Sequence, residues 1–497
     1  MTWRDALPLL ILSTSLVPAA WIFFLKEEAQ THRTVVNLAG AVLKLLLVGV
    51  LFYEVRLGRT IIFEYNLMPN LTLKFHTDPF SLLFVGLSAV LWLLTTVYAI
   101  GYLEAGPNRS RFFGFFSLCV SATVGIAMAG NLITLLIFYE LLSLATYPLV
   151  AHRGNRRSIR AARTYLMFTL IGGATLLVGV IWLQSLAGNI DFVATGVLDQ
   201  LPLHTHAQLR VIFVLLIAGF GVKAALVPLH GWLPLAMVAP APVSALLHAV
   251  AVVKAGAFGI VRVVYDVYGI GFSEEMGLLG YLAAAAGVTI VYGSVRALFQ
   301  DDLKRRLAFS TVSQVSYIIL GVAIFGPMAT IGGIVHLVHQ GIMKITLFFC
   351  AGNYAETLGI HKVSEMNGAG RRMPLTSAAF TVGALGMIGV PPIAGFFSKW
   401  YIGMGGLERG QYWVPAVLIA SSLLNAGYFL PILHALWFRE NTGGWPHARS
   451  LSRRHETPLL LLVPPLVTAV LAILSGVLAG SSFSPLYWAR FIMVGEY

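Results

Sequence analysis

Long apolar stretches recur along the whole chain and are separated by short polar segments. A helix of about twenty apolar residues crosses a hydrocarbon core of about 30 Å. The pattern predicts about fourteen membrane spans, at 7–24, 35–53, 81–101, 112–129, 131–151, 165–186, 211–229, 243–265, 277–297, 308–326, 328–351, 375–403, 413–437 and 457–480. The longest loop, 54–80, alternates apolar and polar residues as strands do. We therefore expect an all-α polytopic membrane protein with a strand-like loop.

Composition agrees with this pattern and gives the protein an orientation. Hydrophobic residues make up 58% of the chain and charged residues 11%, whereas soluble domains are about 25% charged. Most Lys and Arg follow odd-numbered spans, including the densest basic segment, 153–163. Because positive residues mark the cytoplasmic side, both termini are predicted on the outer face of the cell inner (plasma) membrane. The net charge of +12 then reflects topology, and no nucleic-acid partner is expected.

The seventh and the twelfth predicted spans are each interrupted by proline, and each carries a lysine. Lys223 lies in the seventh span and Lys399 in the twelfth, and the breaking residues are Pro228, Pro234, Pro391 and Pro392. Paired interruptions are typical of transporters built from inverted repeats, here helices 4–8 and 9–13. The predicted domains are therefore helices 1–3, the two repeats, and helix 14 with the tail, at 1–110, 111–268, 272–440 and 441–497.

Proline removes the N–H group that would bond the carbonyl four residues earlier. Pro228 is therefore expected to free the carbonyl of Ala224, and the pair in the twelfth span to free those of Met387 and Ile388. Carbonyls freed at membrane depth need protein or water partners. A simple kink explains one such break, but two breaks with lysines favour a functional site.

Several ionisable side chains lie inside the predicted spans, where a charge costs about 2.5–3.5 kcal/mol on insertion scales. The candidates are Glu140, Lys223, His248, Lys254, His336, His339, Lys344 and Lys399, with Lys44 left unassigned. A carboxylate near a buried lysine favours its charged form, and moving it away favours proton release. Lysines followed by histidines are thus suited to stepwise proton transfer. Arg262 and Asp266, four residues apart, are expected to form an interfacial salt bridge.

Other kinds of chemistry have no recognisable motif in the sequence. Phosphate-binding loops, dinucleotide fingerprints, CxxC pairs and HExxH are missing. Cys119 and Cys350 both lie within spans, which favours buried thiols. We expect no cofactor, no metal site and no reaction catalysed by this chain alone.

Five stretches together resemble the antiporter-like subunits of respiratory complex I, Mrp cation/proton antiporters and membrane-bound hydrogenases. The stretches are FYELLSL, KAALVPLHGWLP with APAPVSALLH, DLKRRLAFSTVSQ, HLVHQGIMKITLFFCAG and GVPPIAGFFSKW. The resemblance covers roughly residues 80–440 and includes the number of spans. It implies a proton- or cation-translocating subunit of a multisubunit membrane complex, with other membrane subunits as partners.

The resemblance also assigns roles to residues. It implies that Glu140 and Lys223 form a paired input site and that Lys254, beside His248, is the central relay. His336, His339 and Lys344 would extend the relay through the second repeat, with Lys399 at the exit.

Lysine at position 399 and the stretch SSLLNAGYFLPIL (421–433) favour the Mrp D-type group, which exchanges Na⁺ or K⁺ for H⁺. One departure concerns the stretch after WLP, where the family usually has an acid and this chain has Leu235 and Met237. A cation site inferred from relatives is therefore in doubt there.

Three alternatives remain open at this stage. The chain is a proton-pumping subunit of a redox-driven complex, the membrane subunit of an inorganic-carbon-accumulating enzyme, or a stand-alone solute carrier. The linear spread of lysines fits the last of these poorly.

Overall fold

The apolar stretches form helices, as expected where backbone groups cannot hydrogen-bond to water. The computed structural model describes residues 3–68, 71–103, 106–441, 443–446 and 456–496. The helices of the first half are α1 Leu7–Phe23, α2 Gln30–Arg56, α3 Pro79–Leu103, α4 Arg109–Ala127, α5 Leu132–Val150, α6 Arg156–Ala187, α7 His206–Lys223, α8 Trp232–Leu235, α9 Ala241–Ala249 and α10 Val252–Arg262. Those of the second half are α11 Ile270–Glu275, α12 Leu278–Leu298, α13 Leu303–Val322, α14 Pro327–Leu358, α15 Ala369–Arg372, α16 Pro374–Ile388, α17 Ala394–Glu408, α18 Trp413–Phe438, α19 Leu459–Val477 and α20 Pro485–Glu496.

The predicted all-α polytopic membrane fold is confirmed. In the described part of the chain, eleven helical segments are long and apolar enough to cross a membrane. Each of the fourteen predicted spans overlaps one helix or two consecutive helices. The exact number of spans, the inverted repeats and the four domain limits stay predictions.

The strand-like loop forms a two-stranded antiparallel hairpin, β1 Ile61–Met68 and β2 Leu71–Thr77. Lys74 of β2 fixes the hairpin to its surroundings, because its ammonium pairs with Glu64 at 2.6 Å and with Asp191 at 2.7 Å. Its backbone N–H also donates to Thr134 near the start of α5. The hairpin therefore covers the turn between α4 and α5.

The long helix α14 lies at the centre of the bundle. It contacts helices from every part of the chain, namely α3, α9, α13, α16, α17, α19 and α20, and its residues from 329 to 354 are all buried. Glycines permit this close packing, as small residues do between membrane helices. A Cβ atom at Gly332 would meet Ile402 of α17 at 2.6 Å, and one at Gly341 would meet the Ala249 carbonyl of α9 at 3.0 Å.

A buried ion-pair cluster joins the end of α10 to the start of α3. Arg262 contacts Asp266 at 3.1 Å, which confirms the predicted salt bridge, and Asp78 at 2.6 Å. The same guanidinium also donates to Ser81. Burial alone would raise the pKa of Asp78, but the charge and hydrogen bonds of Arg262 outweigh burial and lower it to about 2.

We predict that this cluster makes stability depend on pH below about 4. A carboxyl whose pKa is lower in the folded state stabilises the fold above its unfolded pKa, about 3.9, and this contribution disappears as pH falls towards 2. Acidification across that window should therefore remove about 2 kcal/mol from the free energy of unfolding. The thermal unfolding of detergent-solubilised protein, measured between pH 5 and pH 2, tests this.

Asp78→Asn should be less stable at neutral pH and should show a shallower decline in this acid window. Asp199→Asn is the control, because Asp199 is exposed and forms no ion pair among the described residues. Equal slopes for wild type and Asp78→Asn would refute the assignment.

Candidate functional site

The seventh span is interrupted directly after its lysine. Helix α7 ends at Lys223, and Ala225 adopts a left-handed conformation with φ of 57°. Pro228 lies in the non-helical segment that follows, whereas Pro234 lies inside the short helix α8. The indole N–H of Trp232 donates to the carbonyl of Val222 at 2.7 Å. An aromatic side chain thus satisfies one carbonyl at the end of the interrupted helix.

The ammonium of Lys223 is directed towards Tyr139 of α5. It donates to the Tyr139 carbonyl and lies 3.3 Å from the centre of the Tyr139 ring. The Tyr139 hydroxyl in turn donates to the carbonyl of Gly219, one turn before the end of α7, at 2.9 Å. Two reciprocal contacts therefore hold the end of α7 against the middle of α5.

Glu140 lies next to this contact without forming an ion pair with Lys223. Its Oε1 atom is buried and has no hydrogen-bond partner in the described part of the chain. The carboxylate packs against Gly173 of α6, where a Cβ atom would overlap it. Residues 139 and 140 point in directions about 100° apart on a helix, so Lys223 approaches the tyrosine side of α5 and Glu140 faces α6.

The eighth span is also interrupted, which its sequence did not predict because it has no internal proline. Helix α9 ends at Ala249 and α10 begins at Val252, two residues before Lys254. The Lys254 ammonium is buried and has no hydrogen-bond partner among the described residues. Gly256, half a turn later, lies so close to the end of α7 that a Cβ atom would clash with its backbone. Lys254, about 200° away from Gly256 on the helix, points to the other side and lies within electrostatic range of His336 and His339 of α14.

The histidines line the interior between the two halves of the chain. His248 of α9 stacks on Phe348 of α14, with ring centres 4.6 Å apart, and neither of its ring nitrogens has a partner among the described residues. His336 of α14 shares a 2.7 Å hydrogen bond with Ser398 of α17. It lies within electrostatic range of Lys254, His339 and Lys399. His336 therefore interacts electrostatically with both Lys254 of α10 and Lys399 of α17.

Lys399 fills the interruption of the twelfth span. The segment 389–393, which contains Pro391 and Pro392, separates α16 from α17. The ammonium donates to the carbonyl of Met387 at 2.9 Å and to that of Ile388 at 2.8 Å. These are the two carbonyls that the prolines were expected to free. A third bond, to Ser422 at 3.0 Å, completes an oxygen cage around the charge.

A chain of hydrogen bonds connects Lys344 to the same cage. Lys344 donates to Ser310 at 2.6 Å, and the Tyr428 hydroxyl lies 2.8 Å from Ser310 and 2.6 Å from Oδ1, the side-chain amide oxygen of Asn425. The Asn425 amide then donates to the Met387 carbonyl at 3.0 Å. A hydroxyl can switch between two acceptors, but an amide is not a proton carrier. The chain therefore holds the two lysines in fixed relation, and proton passage between them needs another route.

Sequence reasoning missed Ser310, Asn425 and Tyr428, although a signal was present. Asn425 and Tyr428 lie one turn apart in the stretch 421–433 and face the same side of α18. Ser310 lies in the stretch DLKRRLAFSTVSQ. Neutral polar residues on an apolar helix are easily attributed to packing, so only their contacts with lysines distinguish them.

The predicted residues thus form two groups with a connection between them. Glu140 and Lys223 lie around the end of α7, Lys344 and Lys399 lie around α18, and Lys254 lies within electrostatic range of the α14 histidines. His336 and His339, one turn apart on α14, lie between the groups, and His339 faces the backbone of Ala394 at the start of α17. The structure brings Glu140 and Lys223 into the same region but not into contact.

The sequence matches two known protein families. Residues 129–425 match the family described as NADH:quinone oxidoreductase/Mrp antiporter, transmembrane. Residues 68–113 match the N-terminus of chain 5 of NADH-ubiquinone oxidoreductase, complex I. The first match includes every predicted relay residue.

Two curated relatives cover most of the chain. NADH-quinone oxidoreductase subunit N of Desulforudis audaxviator (strain MP104C) is 37% identical over 414 residues, which are 80% of this chain and 81% of the relative. The D-type subunit of a Na(+)/H(+) antiporter from Bacillus subtilis (strain 168) is 28% identical over 403 residues, which are 80% of this chain and 79% of the relative.

A solved structure has the same fold over the full length. A chain of the Mrp complex from Dietzia sp. DQ12-45-1b superimposes with a TM-score of 0.86 at 23% identity, and each chain is covered completely. The chain therefore belongs to the family of NADH:quinone oxidoreductase and Mrp antiporter transmembrane subunits.

Proposed function

We propose that this chain is a proton-translocating subunit of a multisubunit membrane complex, most similar in role to the D-type subunit of an Mrp-type Na⁺(K⁺)/H⁺ antiporter. The observation that carries the proposal is the buried series of Lys223, Lys254, His336 and Lys399, which extends from the interrupted α7 to the interrupted α17. Burying ionisable groups at this depth costs free energy, so their presence indicates a function such as transport. The Bacillus subtilis relative is named as a subunit of a Na⁺/H⁺ antiporter, which supports the same function.

The input step depends on the partners of Lys223. In this structure its ammonium is bound to Tyr139, while the Glu140 carboxylate lies nearby against Gly173. Approach of the carboxylate stabilises the charged lysine, and withdrawal favours release of the proton. The non-helical segment after Lys223 gives the backbone room for such a change, as discontinuous helices do in transporters. Glu140 is the switch, and Lys223 is the group that it controls.

The released proton passes to Lys254 and then to the histidines of α14. Polar atoms without a hydrogen-bond partner among the described residues lie along this route, namely Lys254 Nζ and the side-chain amides of Gln314 and Gln340. Buried polar groups that lack protein partners are usually hydrogen-bonded to water. Water between Lys254 and His336 would carry the proton to Lys399, the exit group, through the second of the two inverted repeats.

The orientation follows from the distribution of basic residues. We place both termini on the outer face of the cell inner (plasma) membrane and the loops after the odd-numbered spans in the cytoplasm. Other membrane subunits are the expected partners, because the solved relative belongs to a multisubunit complex. An ion gradient or a partner supplies the energy for transport.

A second candidate is a proton-pumping subunit of a redox-driven complex. Identity to NADH-quinone oxidoreductase subunit N, at 37%, exceeds identity to the antiporter relative from Bacillus subtilis, at 28%. The relay would be the same in both, and only the source of energy would differ.

Removing the charge of Lys223 tests the relay. We expect Lys223→Met to lower proton flux by about 100-fold, the lower end of what a single proton-transfer group contributes. Proton uptake is measured in vesicles that contain the native complex after addition of Na⁺, of K⁺ or of NADH. A response to a cation identifies an antiporter, whereas a response only to NADH identifies a redox pump.

Lys44→Met is the matched control. Lys44 is equally buried, but it donates to Ser15 at 2.7 Å and lies 4.5 Å from the Trp92 ring, away from the proposed relay. It should retain flux within about 2-fold of wild type, because no proton-transfer group is removed. Full flux in an assembled Lys223→Met complex would make that lysine structural and end the proposal.

Gly173→Ala tests the position of the carboxylate without changing any ionisable group. The added methyl group would overlap Glu140, and the flexible side chain should move and leave its site beside Lys223. We expect proton flux to fall about 10-fold or more, because proton transfer depends on hydrogen-bond reach. The thermal midpoint should change little, since the end of a side chain yields more readily than backbone.

Gly49→Ala is the control for this variant, because no atom lies within 4 Å of a Cβ atom at that position of α2. Both variants should assemble with wild-type yield. If Gly173→Ala transports protons as fast as Gly49→Ala, the position of the Glu140 carboxylate does not set the rate.

A further inference from the structure

A large open cavity lies where four loops meet at one end of the bundle. Its volume is about 560 Å³, and it is bounded by the start of α6, the segment around α8, the start of α13 and residues 360–362. These segments follow the fifth, seventh, ninth and eleventh predicted spans. The loops that the charge pattern assigns to one side of the membrane thus surround a single cavity.

The lining of this cavity is strongly basic. Six lining residues are basic and two are acidic, and burial together with the nearby charge of Arg153 lowers the pKa of Lys304 to about 7. The cationic residues are Arg153, Arg157, Arg160, Lys304, Arg305 and Lys362. A preference for basic residues in cytoplasmic loops explains their number, but it does not explain why six converge on one cavity.

Both acidic residues of the lining already accept hydrogen bonds from backbone N–H groups. Asp302 accepts from the N–H of Arg305 at 2.8 Å and so caps the start of α13. Asp301 accepts from the N–H of Ser364 at 3.0 Å and from its hydroxyl at 2.9 Å. The two carboxylates therefore fix the cavity wall, and neither forms an ion pair with a cavity cation among the described residues.

Four of the six cavity cations, Arg153, Arg157, Arg160 and Lys362, are exposed, and their lack of ion pairs distinguishes the six from two other basic residues of the chain. The side chains of Arg262 and Lys74 each form ion pairs with two carboxylates, whereas none of the six cavity side chains forms an ion pair within the described ranges. Lys304 donates only to the carbonyl of Ala239, at 2.6 Å. Like charges held together repel one another, and a bound anion would relieve that repulsion.

The kind of anion follows from the side chains available. Guanidinium groups bind phosphate oxygens through two parallel hydrogen bonds, and an ammonium adds a point charge. Apolar residues complete the lining, among them Leu235, Met237, Val238 and Ala241. We propose that this cavity binds the phosphate group of an anion, supplied either by a lipid headgroup or by free phosphate. The site is independent of the proton relay and goes beyond the proposed function.

The experiment uses the purified native complex in nanodiscs. In one arm the bilayer is phosphatidylcholine alone, and binding of radiolabelled inorganic phosphate is measured by equilibrium dialysis. In the other arm the bilayer contains phosphatidylglycerol, and the lipid retained by the chain is counted by native mass spectrometry. Binding in the first arm identifies free phosphate, and retention in the second without binding in the first identifies a lipid headgroup.

The double variant Arg157→Gln/Arg160→Gln removes two cavity cations. Arg156→Gln/Arg163→Gln removes the same charge from the same helix at positions that do not line the cavity. We expect the first variant to weaken binding by about 10-fold or more and the second by less than about 2-fold. Higher ionic strength should weaken binding to wild type, because screening reduces the attraction.

Two results would overturn the proposal. One is binding of neither phosphate nor phosphatidylglycerol by the wild-type complex. The other is an equal loss in both double variants, which would mean that the anion responds to surface charge in general. Proton flux does not enter this test, so its failure is distinguishable from failure of the proposed relay.

Discussion

A charged group in the membrane interior needs oxygen atoms that water would otherwise supply, and the bundle is built around this constraint. Lys399 obtains two of them from the carbonyls of Met387 and Ile388, which are available because prolines follow in the chain. Lys223 obtains one from Tyr139, on a neighbouring helix. The interruption between α16 and α17 therefore supplies carbonyl oxygens for an ammonium group and is also a place where the backbone bends.

The same constraint explains which parts of the site could be predicted from the sequence. The effect of proline is local and fixed in sequence, so the carbonyls that surround Lys399 were predictable. The interruption before Lys254 contains neither proline nor glycine, and it lies where α9 packs on α14 and α10 packs on α7 and α13. The contact between Glu140 and Gly173 likewise joins two helices, and no rule based on spacing finds it. Both features involve contacts between residues far apart in the sequence, which a local sequence pattern does not predict.

The fold was more predictable than the site because hydropathy has a simple physical meaning along a membrane chain. All predicted spans overlap helices, and the alternation in 54–80 corresponds to the hairpin β1–β2. The network through Ser310, Asn425 and Tyr428 was harder to find. A hydroxyl or an amide costs far less to bury than a charge, so its presence on an apolar helix carries little information until its partners are known.

Comparison of the cations shows why burial alone does not indicate a role. Lys44 is as buried as Lys223, yet it lies in an uninterrupted helix with a hydroxyl and an indole ring as neighbours. Lys223 ends an interrupted helix near Glu140, whose Oε1 atom has no hydrogen-bond partner in the described part of the chain, and the proposed switch uses this pair. The cavity arginines line one cavity and form no ion pair in the described part of the chain. An acid beside a buried lysine suits the proposed proton transfer, whereas cations without ion pairs suit the proposed anion binding, and this difference separates the two sites.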